Sequence, residues 1–212
     1  MNIHQLINKY AQQPLPHQLL VSWLGDYKRP NDKINTLKTE GVLEAVKKGL
    51  YIAGPATGLL RPEPFLLANH MLGPSYVSIE TALSYYGLIP ERVYEVASMT
   101  TKASRKFDTS LGRFTYTHLP LPYYAFGLNC VQLSPDQVAI IASPEKALCD
   151  KIVTTAGLTL RSIKGSYDYL VDGMRIEESA LKQLNVYTIE EWLPGAPKKD
   201  SLLMLVKMIK SL

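Results

Sequence analysis

The chain has 212 residues, 46% of them hydrophobic and 20% charged, so it can fill a real core and reads as neither disordered nor low-complexity. No run approaches the roughly 18 to 20 uninterrupted apolar residues of a membrane-spanning helix, and the first ten residues lack the charged-then-apolar order of a signal peptide, so the expected compartment is the cytoplasm and no membrane partner is expected. The formal charge of +4 is unevenly placed: residues 1–53 hold seven Lys or Arg against four Asp or Glu, a net +3, while the rest hold 16 against 15.

Taken in chain order, Ile3, Leu6, Ile7 and Tyr10 have the spacing of a short amphipathic helix, which Pro14 and Pro16 break. A second helix is expected from about His17 to Leu24, with Leu20, Trp23 and Leu24 inward and Gly25 as its stop. A third should run from about Pro30 to Glu40, since proline suits the first helical turn and Gly41 the position just past the end. The run Val42–Gly54 then reads as two short strands joined at Lys47-Lys48-Gly49, where glycine supplies the positive φ of a tight turn. Three helices followed by a hairpin is the order of a winged helix-turn-helix over residues 1–54. Pro55–Pro64 is the expected linker, and a second domain is expected over 65–212.

In that second part, Ser75 or Ser78 is placed to cap a helix that Gly87 ends, with Val77, Thr81, Ala82 and Tyr85 on one face. Val93, Tyr94, Val96 and Met99 suggest a strand, and Phe114, Tyr116 and His118 alternate with polar residues as a second. With a turn cluster at Asp108–Gly112, the simple expectation is a hairpin between these two strands, with Lys102, Arg105 and Lys106 in a basic loop. Val138–Ile141 fits a buried strand, Ser143-Pro144-Glu145 opens a helix ended by Gly157, and further helices are expected around Arg161–Leu170, Glu177–Leu184 and Asp200–Ser211. The fold class is therefore α+β: an N-terminal winged helix-turn-helix followed by a mixed α/β domain with an antiparallel sheet.

On a 3.6-residue wheel the third helix turns Ile34 and Leu37 to the core and Asp32, Asn35, Thr36 and Thr39 away from it. Lys28, Arg29 and Lys33 flank its N-terminal end, where recognition helices meet phosphates, and Lys47 and Lys48 top the hairpin. Asn35 can pair with an adenine edge and Thr36 can touch a base, so these seven residues are the candidate contacts to double-stranded DNA; a solvated helix face and turn are the alternative. Enzyme signatures are poor. There is no phosphate-cradling loop, no nucleophile elbow and no histidine pair at zinc spacing, and His4, His17, His70 and His118 are isolated. Glu145 and Lys146 invite comparison with nuclease carboxylate–lysine sites, but neighbours on a helix point about 100° apart. Cys130 and Cys149 lack ligand or disulfide spacing and are expected to be buried thiols. No catalytic residue, cofactor or metal is expected.

Four blocks in order, Lys47–Pro55 (KKGLYIAGP), Gly73–Glu91 (GPSYVSIETALSYYGLIPE), the G-x-F-x-Y strand Gly112–Tyr116 and Ala142–Asp150 (ASPEKALCD), resemble the AbiEi-type antitoxins of type IV toxin–antitoxin systems and their stand-alone transcriptional-regulator relatives. The resemblance covers roughly residues 15–155. It implies a winged-helix domain that binds promoter or operator DNA and represses its own operon, and a second domain that counteracts a nucleotidyltransferase-like toxin. By position it carries the recognition-helix and wing roles onto Lys28, Arg29, Lys33, Asn35, Thr36, Lys47 and Lys48. The other readings are a nuclease-like enzyme using the second domain and a protein-interaction module without DNA binding.

Overall fold

A computed structural model describes residues 2–212. The first helix, α1 (Ile3–Lys9), is closed by a capping box in which Asn2 and Gln5 exchange side-chain and backbone hydrogen bonds. Helices α2 (His17–Trp23) and α3 (Pro30–Thr39) follow, with Pro30 in the first turn of α3. The hairpin of β2 (Leu43–Lys47) and β3 (Leu50–Ala53) turns at Lys48-Gly49, where Gly49 takes φ +82°, a conformation that costs glycine nothing. Pro16 does more than break the first helix. Leu15–Pro16 in fact form a two-residue strand, β1, on the outer side of β3, giving an antiparallel sheet of order β1-β3-β2. Proline is tolerated there because an edge strand has a ladder on one side only, and the missing N–H falls on the open side. Ile7, Leu15, Leu20, Leu24, Ile34 and Leu37 meet in a core of their own beneath this sheet.

After a 3₁₀ turn at Pro55–Thr57, α4 (Pro64–Met71) leads into a six-stranded sheet of order β6-β7-β5-β4-β9-β8. Its strands are β4 (Ser75–Val77), β5 (Val96–Thr100), β6 (Arg105–Thr109), β7 (Gly112–His118), β8 (Leu128–Ser134) and β9 (Gln137–Ala142). The protein is thus α+β, and this sheet is mixed rather than antiparallel throughout: β4 runs parallel to β9, and β5 parallel to β7.

Three local expectations change here. Val77 lies in β4 and pairs with Ser98 and Ile141, and the helix, α5 (Ile79–Tyr85), begins two residues later. Neither Ser75 nor Ser78 caps it. Ser78 occupies the cap position but its hydroxyl donates to Asp150 instead. The expected hairpin partner of β7 is not β5 but β6, which contains Arg105 and Lys106; the turn at Ser110-Leu111 joins β6 to β7. Charged Arg105, Lys106 and Asp108 suit the outer edge, whereas Ala97, Ser98, Met99 and Thr100 are buried and take the inner position.

On the sheet lie α6 (Pro144–Thr154), capped by Ser143, then α7 (Ile163–Tyr167), which runs into a π-helical segment at Asp168–Gly173. Two short helices follow, α8 (Glu178–Lys182) and α9 (Val186–Trp192), and α10 (Lys199–Ser211) closes the chain. Helix α9, which Asn185 caps, lies outside the helices expected from the sequence. Helix α6 ends at Thr154, three residues before Gly157. Strand β9 is buried only alternately, with Val138 and Ile140 facing outward, and Cys130 on β8 is exposed, so only Cys149 is a buried thiol. Val46, Leu50 and Ile52, on the hairpin of the N-terminal unit, belong to the core of this larger part.

Candidate nucleic-acid interface

Helix α3 presents two chemically different faces. Ile34 and Leu37 are sealed in the N-terminal core, while Asp32, Asn35, Thr36 and Thr39 are exposed together. Thr36 donates its hydroxyl to the carbonyl of Asp32 at 3.0 Å and Thr39 to that of Asn35 at 3.1 Å. Their protons are engaged with the helix, so each threonine offers its methyl group and oxygen lone pairs outward. Asn35 has no protein partner for its amide among the described residues and offers both donor and acceptor.

Lys28, Arg29 and Lys33 lie at the start of this helix, and Lys47 and Lys48 at the turn of the hairpin. Arg29 lies 3.7 Å from Asp32 in a weak pair, both side chains being mostly exposed. Lys28 and Lys48 are exposed, and Lys33 and Lys47 half-buried. Glu44, the acid on the same hairpin, is already engaged by Arg61 at 3.0 Å and by the Ser110 hydroxyl. Among the described residues no carboxylate reaches ion-pair distance of Lys28, Lys33, Lys38, Lys47, Lys48, Lys102, Arg105 or Lys106.

Lys47 has its pKa held below the usual lysine value, first by partial burial and then by the nearby positive charges of Lys102 and Arg105. These two residues come from the start of β6 and the loop before it, 55 and 58 positions along the chain, so the sequence could not place them beside the hairpin. The fold therefore brings the positive charges of Lys102 and Arg105 to bear on Lys47, and among the described residues none of the three has a carboxylate at ion-pair distance.

A second polar cluster lies inside the larger part and was not foreseen. On α6, Lys146 and Asp150 stand one turn apart and point inward, with Nζ to Oδ1 at 2.8 Å and both side chains fully buried. Asp150 Oδ2 accepts from Tyr76 at 2.9 Å and Ser78 at 2.7 Å. Lys146 Nζ donates to the Tyr123 carbonyl at 3.0 Å and sits 3.2 Å from the centroid of that residue's ring. Burial lowers the Lys146 pKa, which Asp150 partly restores, while burial and then Asp150 hold the phenols of Tyr76 and Tyr123 protonated. The signal that could have found this pair is an i,i+4 Lys–Asp on the inner face of an apolar helix. Glu145, by contrast, is tied down structurally, accepting from Ser143 Oγ and from the backbone N–H of Asn185, both at 2.9 Å. Glu145 and Lys146 thus diverge and share no cleft.

No protein-family model matches the chain, and no curated protein sequence matches it. Among solved structures it is similar to the crystal structure of the RV2827C protein from Mycobacterium tuberculosis, with a TM-score of 0.61 and 13% sequence identity over 99% of this chain and 77% of that one. A likeness at that identity is one of fold. Among the described residues no helix is long and apolar enough to cross a membrane.

Proposed function

We propose that the protein is a sequence-specific, non-catalytic DNA-binding regulator whose residues 1–54 form a winged helix-turn-helix, with α3 as the recognition helix and the β2–β3 turn as the wing. The observation that carries this reading is the set of lysines around α3 and the hairpin that have no acidic partner. Cations without an acidic partner among the described residues, such as Lys47 in the field of Lys102 and Arg105, favour a polyanion that neutralises them. In this arrangement Lys28, Lys33, Lys47 and Lys48 hold phosphates, Arg29 joins them by exchanging Asp32 for a phosphate, and Asn35 and Thr36 read base edges. Lys102 and Arg105 extend the phosphate-binding surface onto the larger part. The AbiEi resemblance extends the proposal to an antitoxin that represses its own operon and counteracts a nucleotidyltransferase-like toxin, working in the cytoplasm.

Titration of the protein onto its own promoter DNA by fluorescence anisotropy tests the core of this reading. With Lys28, Arg29, Lys33, Lys47 and Lys48 on phosphates, log K should fall against log[salt] with a slope of roughly −4 to −5, and of roughly −6 with Lys102 and Arg105 added. Asn35→Ala with Thr36→Ala should flatten discrimination between promoter and random DNA by about 1–3 kcal/mol per lost base contact while leaving the slope in place. A salt-independent response, or equal affinity for both DNAs in the parent protein, would refute it.

A further inference from the structure

The two edges of the six-stranded sheet are built differently. Strand β6, at one edge, carries Arg105, Lys106 and Asp108 in five residues, the kind of charge that keeps an open edge from pairing with another chain. Strand β8, at the other, reads Leu-Asn-Cys-Val-Gln-Leu-Ser over seven residues with neither charge nor proline. Its neighbour β9 is uncharged as well. From Leu128 to Gln132, as far as the bulge at Leu133, this edge has neither charge nor proline to protect it.

The outward backbone groups of β8 can be identified from its register. Ser143 donates its N–H to the Gly127 carbonyl at 2.7 Å, and from Leu128–Ala142 to Gln132–Val138 the antiparallel pairing is unbroken. Alternation along such a ladder turns the N–H and C=O of Asn129 and Val131 toward β9 and those of Leu128, Cys130 and Gln132 away from it. Among the described residues no other group bonds to those three. Directly opposite Cys130 and Gln132 stand Ile140 and Val138, which share their sheet face and are 39% and 49% exposed. A row of free donors and acceptors therefore runs beside an apolar strip.

We infer that β8 is a homodimer interface, at which two copies pair edge to edge and antiparallel into one continuous twelve-stranded sheet. The occupant is a second copy because this edge is complementary to itself. A two-fold axis across β8 sets the outward groups of Leu128, Cys130 and Gln132 against the same groups of the partner, an isologous contact that closes on itself. No like charges meet, whereas β6 paired with its copy would bring Arg105 and Lys106 against their equals. The strip of Cys130, Val138 and Ile140 continues across the seam, adding buried apolar surface to the hydrogen bonds.

Sedimentation equilibrium of the full chain in reducing buffer, without DNA, tests this across the micromolar range. The parent protein should be dimeric. Cys130→Lys should weaken the dimer by about tenfold or more, since the two lysines then face each other across the axis, and Gln132→Lys should weaken it as well, since its charge then lies against Leu128 of the second copy. An equimolar mixture of Cys130→Lys and Cys130→Glu should associate again, and amide exchange at Cys130 and Gln132 should slow as concentration rises. A monomeric parent protein overturns the inference, and so does a dimer that persists undiminished in both lysine variants with circular dichroism showing them folded. Association is measured without DNA, so its failure is distinct from failure of the DNA-binding reading.

Discussion

Lys146 and Asp150 bring two charges into a site with no water contact, and the surroundings show what makes that tolerable. Asp150 has one oxygen on the ammonium and the other on two hydroxyls, and Lys146 adds a carbonyl and an aromatic face. Removing one partner leaves the other uncompensated, so Lys146→Met and Asp150→Leu should each cost about 3–5 kcal/mol in urea unfolding, and the double variant much less than their sum. The two single losses should respond differently to pH. Without Asp150 the Lys146 pKa falls further below its unfolded value, so the folded state binds fewer protons than the unfolded one, and stability rises with pH up to the unfolded pKa. Asp150→Leu should therefore recover part of its deficit as the pH rises toward the unfolded lysine value of 10.5, and a flat profile would mean that the lysine stays charged or escapes to solvent.

At the scale of elements, Gly127 shows how closely β8, α6 and α9 are fitted together. It has φ +62°, and a Cβ there would stand 2.6 Å from the Trp192 ring and 2.8 Å from Lys146 Cβ. Gly127→Ala adds backbone strain to overpacking beside the buried ion pair and should destabilise by roughly 2–4 kcal/mol in the same unfolding assay. Helices were the legible elements: α2, α3 and α6 each carry a local start or stop signal, and α10 an apolar pattern over Leu202, Leu205, Val206 and Ile209. Strand β4 was not, because Tyr76 and Val77 run straight into α5 and their apolar pattern merges with the helix's. Strand β6 was not, because the charges that protect an edge also make it read as a loop. The parallel partnership of β5 with β7 depends on which strand the chain inserts between them, and no local pattern records that. The two faces of α3 could be read from the sequence, but the approach of Lys102 and Arg105 to Lys47 exists only in the assembled fold.

For the whole molecule, the division into residues 1–54 and 65–212 has to be weighed against what crosses it. The N-terminal unit has its own core, yet Val46, Leu50 and Ile52 on its hairpin pack into the larger one. Gln13 donates to the Asp136 carbonyl at 2.6 Å, Gln137 to Gln12 at 3.0 Å, and Arg61 and Ser110 both hold Glu44. Burying one such aliphatic side chain is worth about 1.5–3 kcal/mol, so withdrawing three exposes apolar surface on the larger part at a cost that is a large share of a domain's stability. Residues 65–212 expressed alone should therefore melt well below the full chain and bind a hydrophobic dye. Val46→Ser with Leu50→Ser in the full chain should reproduce much of that loss while α3 and its flanking lysines remain in place. The full chain should melt in one calorimetric transition. Two separate transitions, or a fragment as stable as the parent, would show that the shared face contributes little and that the hairpin is a detachable wing.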